Sequence, residues 1–151
     1  MLLIIEEEYE DDHLVEIGKA KILREGSDIT IIGFSLVLKY ALEAAEELEK
    51  IGISAEVIDL RTIRPIDRET IVNSVKKTSR CITVEEGFLF GSVGREISSI
   101  LMEEAFDYLD APVSRIGAPF SPVPFSPALE SHYIPDAKTI LKGVRDVMAR
   151  R

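Results

Sequence analysis

Tryptophan is absent from this sequence, cysteine occurs once and histidine twice among 151 residues. The single cysteine, Cys81, allows no internal disulfide, so burial and hydrogen bonding must hold the fold, as in a reducing compartment. Cys81 sits in the apolar run Cys81-Ile82-Thr83-Val84, where a free thiol behaves as a small buried hydrophobe. One cysteine and the distant His13 and His132 make no metal-ligand spacing. Neither histidine has a nucleophile beside it, so both read as surface or structural groups. A nucleophile elbow, a P-loop and a zinc-protease motif are missing as well. No apolar run approaches the ~20 residues of a membrane span. The start, Met1-Leu2-Leu3-Ile4-Ile5, lacks the basic flank and cleavage site of a secretion signal. Excess base is missing too: 18 Lys and Arg against 27 Asp and Glu leave a net charge of −9. That balance argues against neutralising nucleic-acid phosphates and favours a basic protein partner.

What is present describes an ordinary globular chain, 46% apolar and 30% charged. Its length suits one domain burying roughly 70% of the surface its unfolded form exposes. The densest acidic run, Glu6-Glu7-Glu8-Tyr9-Glu10-Asp11-Asp12, repels itself and reads as a solvated arm or linker over residues 1–13. The folded domain is expected over residues 14–151, and such a beginning suggests a piece of a longer chain.

Val15 to Leu23 alternates apolar and polar residues, as a half-buried strand does. The turn Arg24-Glu25-Gly26-Ser27 and the β-branched stretch Asp28 to Phe34 follow, so the two strands are expected to form a hairpin. Ser35 is a candidate N-cap for a helix presenting Val37, Ala41, Ala44, Leu48 and Ile51, ended by Gly52. Ser54 to Leu60 reads as a buried parallel strand. Asp67 can cap a helix carrying Ile71, Val72 and Val75 and stopping near Thr78-Ser79. A strand at Cys81–Glu85, a glycine-bearing stretch to Gly94 and a helix with Ile97, Ile100 and Leu101 come next. Pro112 to Ile116 is a short further strand. A proline-rich connection from Pro119 to Pro135 precedes a last helix with Ile140, Leu141, Val144, Val147 and Met148 facing inward. Alternation of strands and helices predicts a three-layer α/β domain, its sheet mostly parallel with one antiparallel strand.

The glycine stretch Glu86 to Gly94 is a poor nucleotide fingerprint, because it carries Phe88, Leu89 and Phe90 and lies beside Glu85 and Glu86, which repel phosphate. Tight strand-to-helix packing is the better reading, with Phe88 and Phe90 available as an apolar patch for another subunit. Arg61 and Arg64, just beyond a strand's carboxyl end, could clamp an anion. The preferred reading pairs them with local acids or a subunit neighbour. An alternative function, a free-standing regulatory domain, would build a small-anion pocket from Arg61, Arg64 and the loop Gly91 to Gly94.

Read in order, the segments from Ile17 to Ser35, Glu56 to Asp67, Ser74 to Gly87, Phe90 to Ser98 and Glu103 to Ala118 resemble the C-terminal domain of the beta subunit of 2-oxoacid dehydrogenases. This is the domain type that also closes transketolase. Val84-Glu85-Glu86-Gly87 followed by an aromatic is similar to the pyruvate branch, the branched-chain and acetoin dehydrogenases being alternatives. The resemblance implies an enzyme that oxidatively decarboxylates pyruvate and transfers the acyl group to lipoyl-lysine. Thiamine diphosphate and Mg²⁺ would lie between the alpha subunit and the beta subunit's N-terminal domain, with none bound by this chain. No catalytic, cofactor or metal residue maps here, and the isolated chain is expected to be inactive. What it implies instead is assembly: a homodimer or larger oligomer of beta subunits, contact with alpha subunits, and docking of the acyltransferase's basic peripheral subunit-binding domain. Asp110, in Leu109-Asp110-Ala111-Pro112, matches the docking acid. The family can use its C-terminal carboxylate in the same contact, whereas Arg150 and Arg151 here would oppose a basic partner. The implied location is cytoplasmic in a bacterium and the mitochondrial matrix in a eukaryote.

Overall fold

In a computed structural model of the chain, residues 14–150 are described; the acidic arm, His13 and Arg151 lie outside them. Five strands form one sheet: β1 (Lys21–Arg24), β2 (Ile29–Gly33), β3 (Ala55–Asp59), β4 (Cys81–Phe88) and β5 (Ser114–Ala118). Their order is β1-β3-β2-β4-β5, with β1 antiparallel to β3 and all other pairs parallel. Helices α1 (Val37–Glu49), α2 (Arg68–Thr78), α3 (Val93–Glu104), α4 (Pro127–Tyr133) and α5 (Ala137–Met148) complete the fold, with a 3₁₀ turn at Phe106–Tyr108.

Alternation along the strands divides the core into two layers. Ile29, Ile31, Val57, Ile82 and Val84 pack with α1 and α5. Ile32, Ile58 and Cys81 pack with α2 and α3 on the other face. All five residues of β2 are buried, as suits an inner position, and the hydroxyl of the one polar member, Thr30, is satisfied by Ser74 and Thr78 of α2. The three-layer fold expected from the sequence is present.

The expected hairpin is not. Helix α1 carries the chain from β2 to β3, and β3 takes the place beside β2, so β1 pairs with β3 instead, Lys21 opposite Asp59 and Ile22 opposite Ile58. The first strand is also shorter than its alternating pattern, covering only Lys21–Arg24. Ser35 does not cap α1. Its φ of 65° is left-handed, outside the extended region an N-cap occupies, and Leu36 holds the cap position without a side-chain cap of its own. Gly52, at φ +80°, does end α1: its N–H and that of Ile53 bond back to Glu49 and Leu48. Ile51 falls past the helix end and is half exposed rather than inward-facing. The Pro119 to Pro135 connection contains α4, a short helix its prolines had masked.

Asp67 caps α2 as read, and does more. Its Oδ1 accepts from the Thr70 N–H at 3.1 Å, while Oδ2 accepts from the Thr70 hydroxyl at 2.8 Å and from the Ala20 N–H at 3.0 Å. The carboxylate thereby ties the segment entering β1 to a helix 47 residues later. Burial alone would raise the Asp67 pKa, but these three donors outweigh it and hold the group below its ordinary 3.8. A depressed folded value means the stabilisation is fully present above 3.8 and is lost as pH falls through the folded value. Asp67→Ala should therefore cost about 1–2 kcal/mol at neutral pH. Thermal melts of variant and parent should converge below pH 3.8; a gap unchanged there would mean the charge contributes nothing.

Candidate partner interface

The residues singled out in the sequence fall on opposite edges of the sheet. Asp110 lies at the amino edge, where β4 and β5 begin, and Arg61, Arg64, Phe88 and Phe90 lie at the carboxyl edge.

The face of the sheet covered by α2 and α3 is laced with charge. Arg68 of α2 donates through Nε to Glu104 at 2.7 Å and through Nη2 to Glu103 at 3.0 Å, both on α3. Lys76 lies 5.2 Å from the Tyr108 ring centroid, a cation–π arrangement. Helix α2 ends at Ser79 in the left-handed conformation, which turns the chain so that Arg80 faces the loop before β5. There the Asp110 N–H donates to the Ser79 carbonyl at 2.9 Å. The Asp110 carboxylate meets the Arg80 Nη2 at 3.1 Å and remains more than half exposed. No local pattern marks Arg80 as a partner, since the two residues are 30 positions apart; only the crossover through α3 brings them together.

At the carboxyl edge two strand carboxylates occupy the helix N-termini that would otherwise attract an anion. Consecutive residues of β4 point to opposite faces. Glu85 accepts from the Gly94 N–H of α3 at 3.3 Å on one side of the sheet, and Glu86 accepts from the Leu36 N–H of α1 at 3.0 Å on the other. Glu85 is buried, and Gly94 is packed directly against it and against Thr83. The reading of this stretch as tight strand-to-helix packing is thus what the structure contains. The capping role of the two glutamates was missed, although an acid pair at a strand's end before a helix was its signal.

Arg61 adopts φ 54°, its N–H donating to the Asp59 carboxylate at 2.9 Å. Among the described residues neither the Arg61 nor the Arg64 guanidinium pairs with an acid, so the local half of the pairing expectation does not hold there. Ile63 and Ile66 line a cleft of about 450 Å³ with Gly91 and Ser92. Neither Arg61 nor Arg64 lines that cleft, and the Gly94 N–H is already committed to Glu85, so the anion pocket of Arg61, Arg64 and the Gly91 to Gly94 loop is not assembled.

Phe88 and Phe90 do form an apolar surface. Both rings meet Phe120 edge to face, at centroid distances of 5.0 and 6.3 Å. Phe90 and Phe120 are about three-quarters exposed, and with Leu89 and Pro119 they border an apolar groove of about 620 Å³. Phe120 came unannounced from the proline-rich connection.

Burial pushes the Cys81 thiol far up, so it stays protonated. His132 is exposed on α4, its Nδ1 2.9 Å from the Ala128 carbonyl oxygen. Among the described residues no group of three or more His, Cys, Asp or Glu could hold a metal ion. No helix among them is long and apolar enough to cross a membrane.

Comparison with known proteins follows the same line. The family model of the transketolase C-terminal domain matches residues 18–140. The mitochondrial pyruvate dehydrogenase E1 component subunit beta of Dictyostelium discoideum is 52% identical over 145 residues, which is 96% of this chain and 41% of its own length. The corresponding subunit of Rickettsia felis is 50% identical over 88% of this chain and 41% of its own. The mitochondrial one of Pisum sativum is 54% identical over 85% and 36%. This chain thus spans about two-fifths of the curated relatives it matches. A solved split-gene transketolase, described as an inactive beta4 tetramer, superposes with a TM-score of 0.82 at 32% identity, covering 97% of this chain and 47% of its own.

Proposed function

The chain belongs to the transketolase C-terminal domain family, and we propose that it is the assembly domain of the beta subunit of a pyruvate dehydrogenase, associating subunits and docking the acyltransferase core. One observation carries this reading: half the residues are shared with pyruvate dehydrogenase beta subunits across 96% of the chain, whereas the fold alone is common to several enzymes. The whole enzyme would decarboxylate pyruvate oxidatively and pass the acetyl group to lipoyl-lysine.

Thiamine diphosphate and Mg²⁺ do not fit the described residues. The helix N-termini at the carboxyl edge are filled by Glu85 and Glu86, which would repel a diphosphate, and no carboxylate cluster offers a magnesium site. The cofactor would be held by the rest of the beta subunit and by the alpha subunit. In this reading the two edges of the sheet divide the labour. The uncharged surface of Phe88, Phe90 and Phe120 suits subunit contact, with Arg61 and Arg64 at the same edge of the sheet supplying cations for a neighbour's acids. Asp110 at the other edge suits the basic peripheral subunit-binding domain. Relatives from eukaryotes are named mitochondrial and those from bacteria are not, so the location follows the source: matrix or cytoplasm.

Calorimetric titration of this chain with the purified peripheral subunit-binding domain tests the docking role. Binding should weaken with salt, and Asp110→Ala should cost roughly two- to fivefold in affinity, as for a partly exposed charge pair. Binding insensitive both to salt and to the substitution would remove Asp110 from the contact.

A further inference from the structure

We propose that Arg80 is a built-in competitor for the Asp110 carboxylate, an internal cation that a basic docking partner must displace, so that Arg80 sets how tightly and how salt-dependently that partner binds. The inference rests on the reading of Asp110 as the docking acid.

The arrangement is fixed by backbone on both sides. The Asp110 N–H is held by the Ser79 carbonyl, so the acid cannot drift from the loop that carries Arg80. The Arg80 carbonyl in turn accepts from the Thr30 N–H at 2.9 Å and the Thr78 hydroxyl at 3.1 Å. Two loops separated by a whole βα unit are thereby locked face to face, and the charge pair between them is part of the fold.

The pair itself is poorly made. Arg80 reaches Asp110 through one contact, Nη2 to Oδ2 at 3.1 Å, and its Nε is buried without an acceptor. Asp110 Oδ1 has no partner among the described residues. A guanidinium approaching from solvent could engage both carboxylate oxygens in a fork, replacing a single contact by two charge-assisted hydrogen bonds. The exchange therefore favours an incoming arginine geometrically. Against it stands the positive charge of Arg80, which stays beside the site after displacement and lowers the negative potential that draws the partner in. Removing that charge while keeping the stem should leave Asp110 in place and strengthen its pull.

Arg80→Gln is the test, with titration of the same docking domain into this chain at low and high salt. Affinity should rise roughly two- to fivefold at low salt, the scale of an exposed charge pair, and the gain should vanish at high salt. Arg80→Met, which keeps the buried stem, serves should the Gln variant fail to fold. The double variant Asp110→Ala with Arg80→Gln should bind as Asp110→Ala alone, because the gain runs through the carboxylate. If Asp110→Ala weakens binding but Arg80→Gln brings no gain, or an equal gain without Asp110, the competitor role is overturned and the docking role stands. If Asp110→Ala leaves binding unchanged, the docking reading falls and takes the competitor role with it.

Discussion

Lys77→Met should lower the unfolding free energy at neutral pH by about 3–5 kcal/mol, the range for stripping the partner from a buried charge. The charge at stake is Glu56. It lies on β3 with no solvent exposure, one oxygen held by the Lys77 ammonium and, at 3.3 Å, by the Gly26 N–H. Its other oxygen is buried and has no hydrogen-bond partner among the described residues. Lys77 is more exposed and also reaches Glu25 at 2.9 Å, so the ammonium is the route by which a buried carboxylate communicates with water. Without Lys77 only one amide supports that charge. Replacing both residues, Glu56→Met with Lys77→Met, should recover most of the loss, because an apolar pair needs no compensation. Urea melts of the single and double variants decide the matter: equal losses would show that packing of the Lys77 stem, not the charge, is responsible. The pH dependence adds a second check. The hydrogen bond to Glu56 is the largest of the effects that raise the Lys77 pKa above its ordinary 10.5. A raised folded value means that the stabilisation is complete below 10.5 and is lost as pH climbs through the folded value. The gap between parent and Lys77→Met should hence be flat near neutrality and close only in alkali.

The Glu56 pair also marks where sequence reasoning stops. Strand β3 was legible because Ala55, Val57, Ile58 and Leu60 are apolar, but nothing in the string says that Glu56 among them is buried with its partner 21 residues away. The same boundary explains the hairpin. Local pattern identified β1 and β2 as strands and a turn between them, yet pairing is decided by which strand the α1 crossover delivers next to β2, and that choice is non-local. Caps divide likewise. As caps, Asp67 and Gly52 act through residues within a turn of themselves and were readable, whereas the bond of Asp67 to Ala20, 47 residues away, was not. The acceptor at the start of α1 is Glu86, 50 residues on, and Ser35 looked suitable only because residue type was visible and its left-handed φ was not.

For the candidate surfaces the division is between identity and company. Asp110, Phe88 and Phe90 could be named in the sequence, the first from a family motif and the others as apolar residues in a glycine loop. Arg80 and Phe120, which give them their environment, come from other loops of the sheet's two edges, and no spacing rule reaches across a crossover connection. The anion-pocket alternative shows the converse. Its glycines and arginines had the right types in the string, but the arginines stay out of the cleft that Gly91 and Ser92 line, and the hydrogen bond of Glu85 takes the Gly94 N–H an anion would need.

Gly94→Ala should cost about 2–4 kcal/mol, summing overpacking of roughly 1–3 kcal/mol with loss of a helix cap near 1. A Cβ at Gly94 would fall well inside contact distance of Thr83 Oγ1, 2.9 Å from Glu85 Oε1 and 3.2 Å from Thr83 Cβ. Those atoms belong to a central strand buried on this face, so the first turn of α3 must move instead, breaking the Gly94 to Glu85 hydrogen bond and leaving a carboxylate without it. Gly87→Ala is the matched control. A Cβ there meets nothing within 4 Å, and the change should stay within about 0.5 kcal/mol. Thr83→Ala combined with Gly94→Ala removes the nearest obstructing atom and should restore part of the loss, though not the contact with Glu85. Chemical denaturation of the four proteins tests the set; equal stability of Gly94→Ala and Gly87→Ala would mean that α3 is free to shift. Helix α3 leads directly into the loop carrying Asp110, yet the Asp110 backbone is anchored to Ser79 at the opposite edge. Folded Gly94→Ala protein should therefore dock its partner with parental affinity, separating what holds the domain together from what it presents.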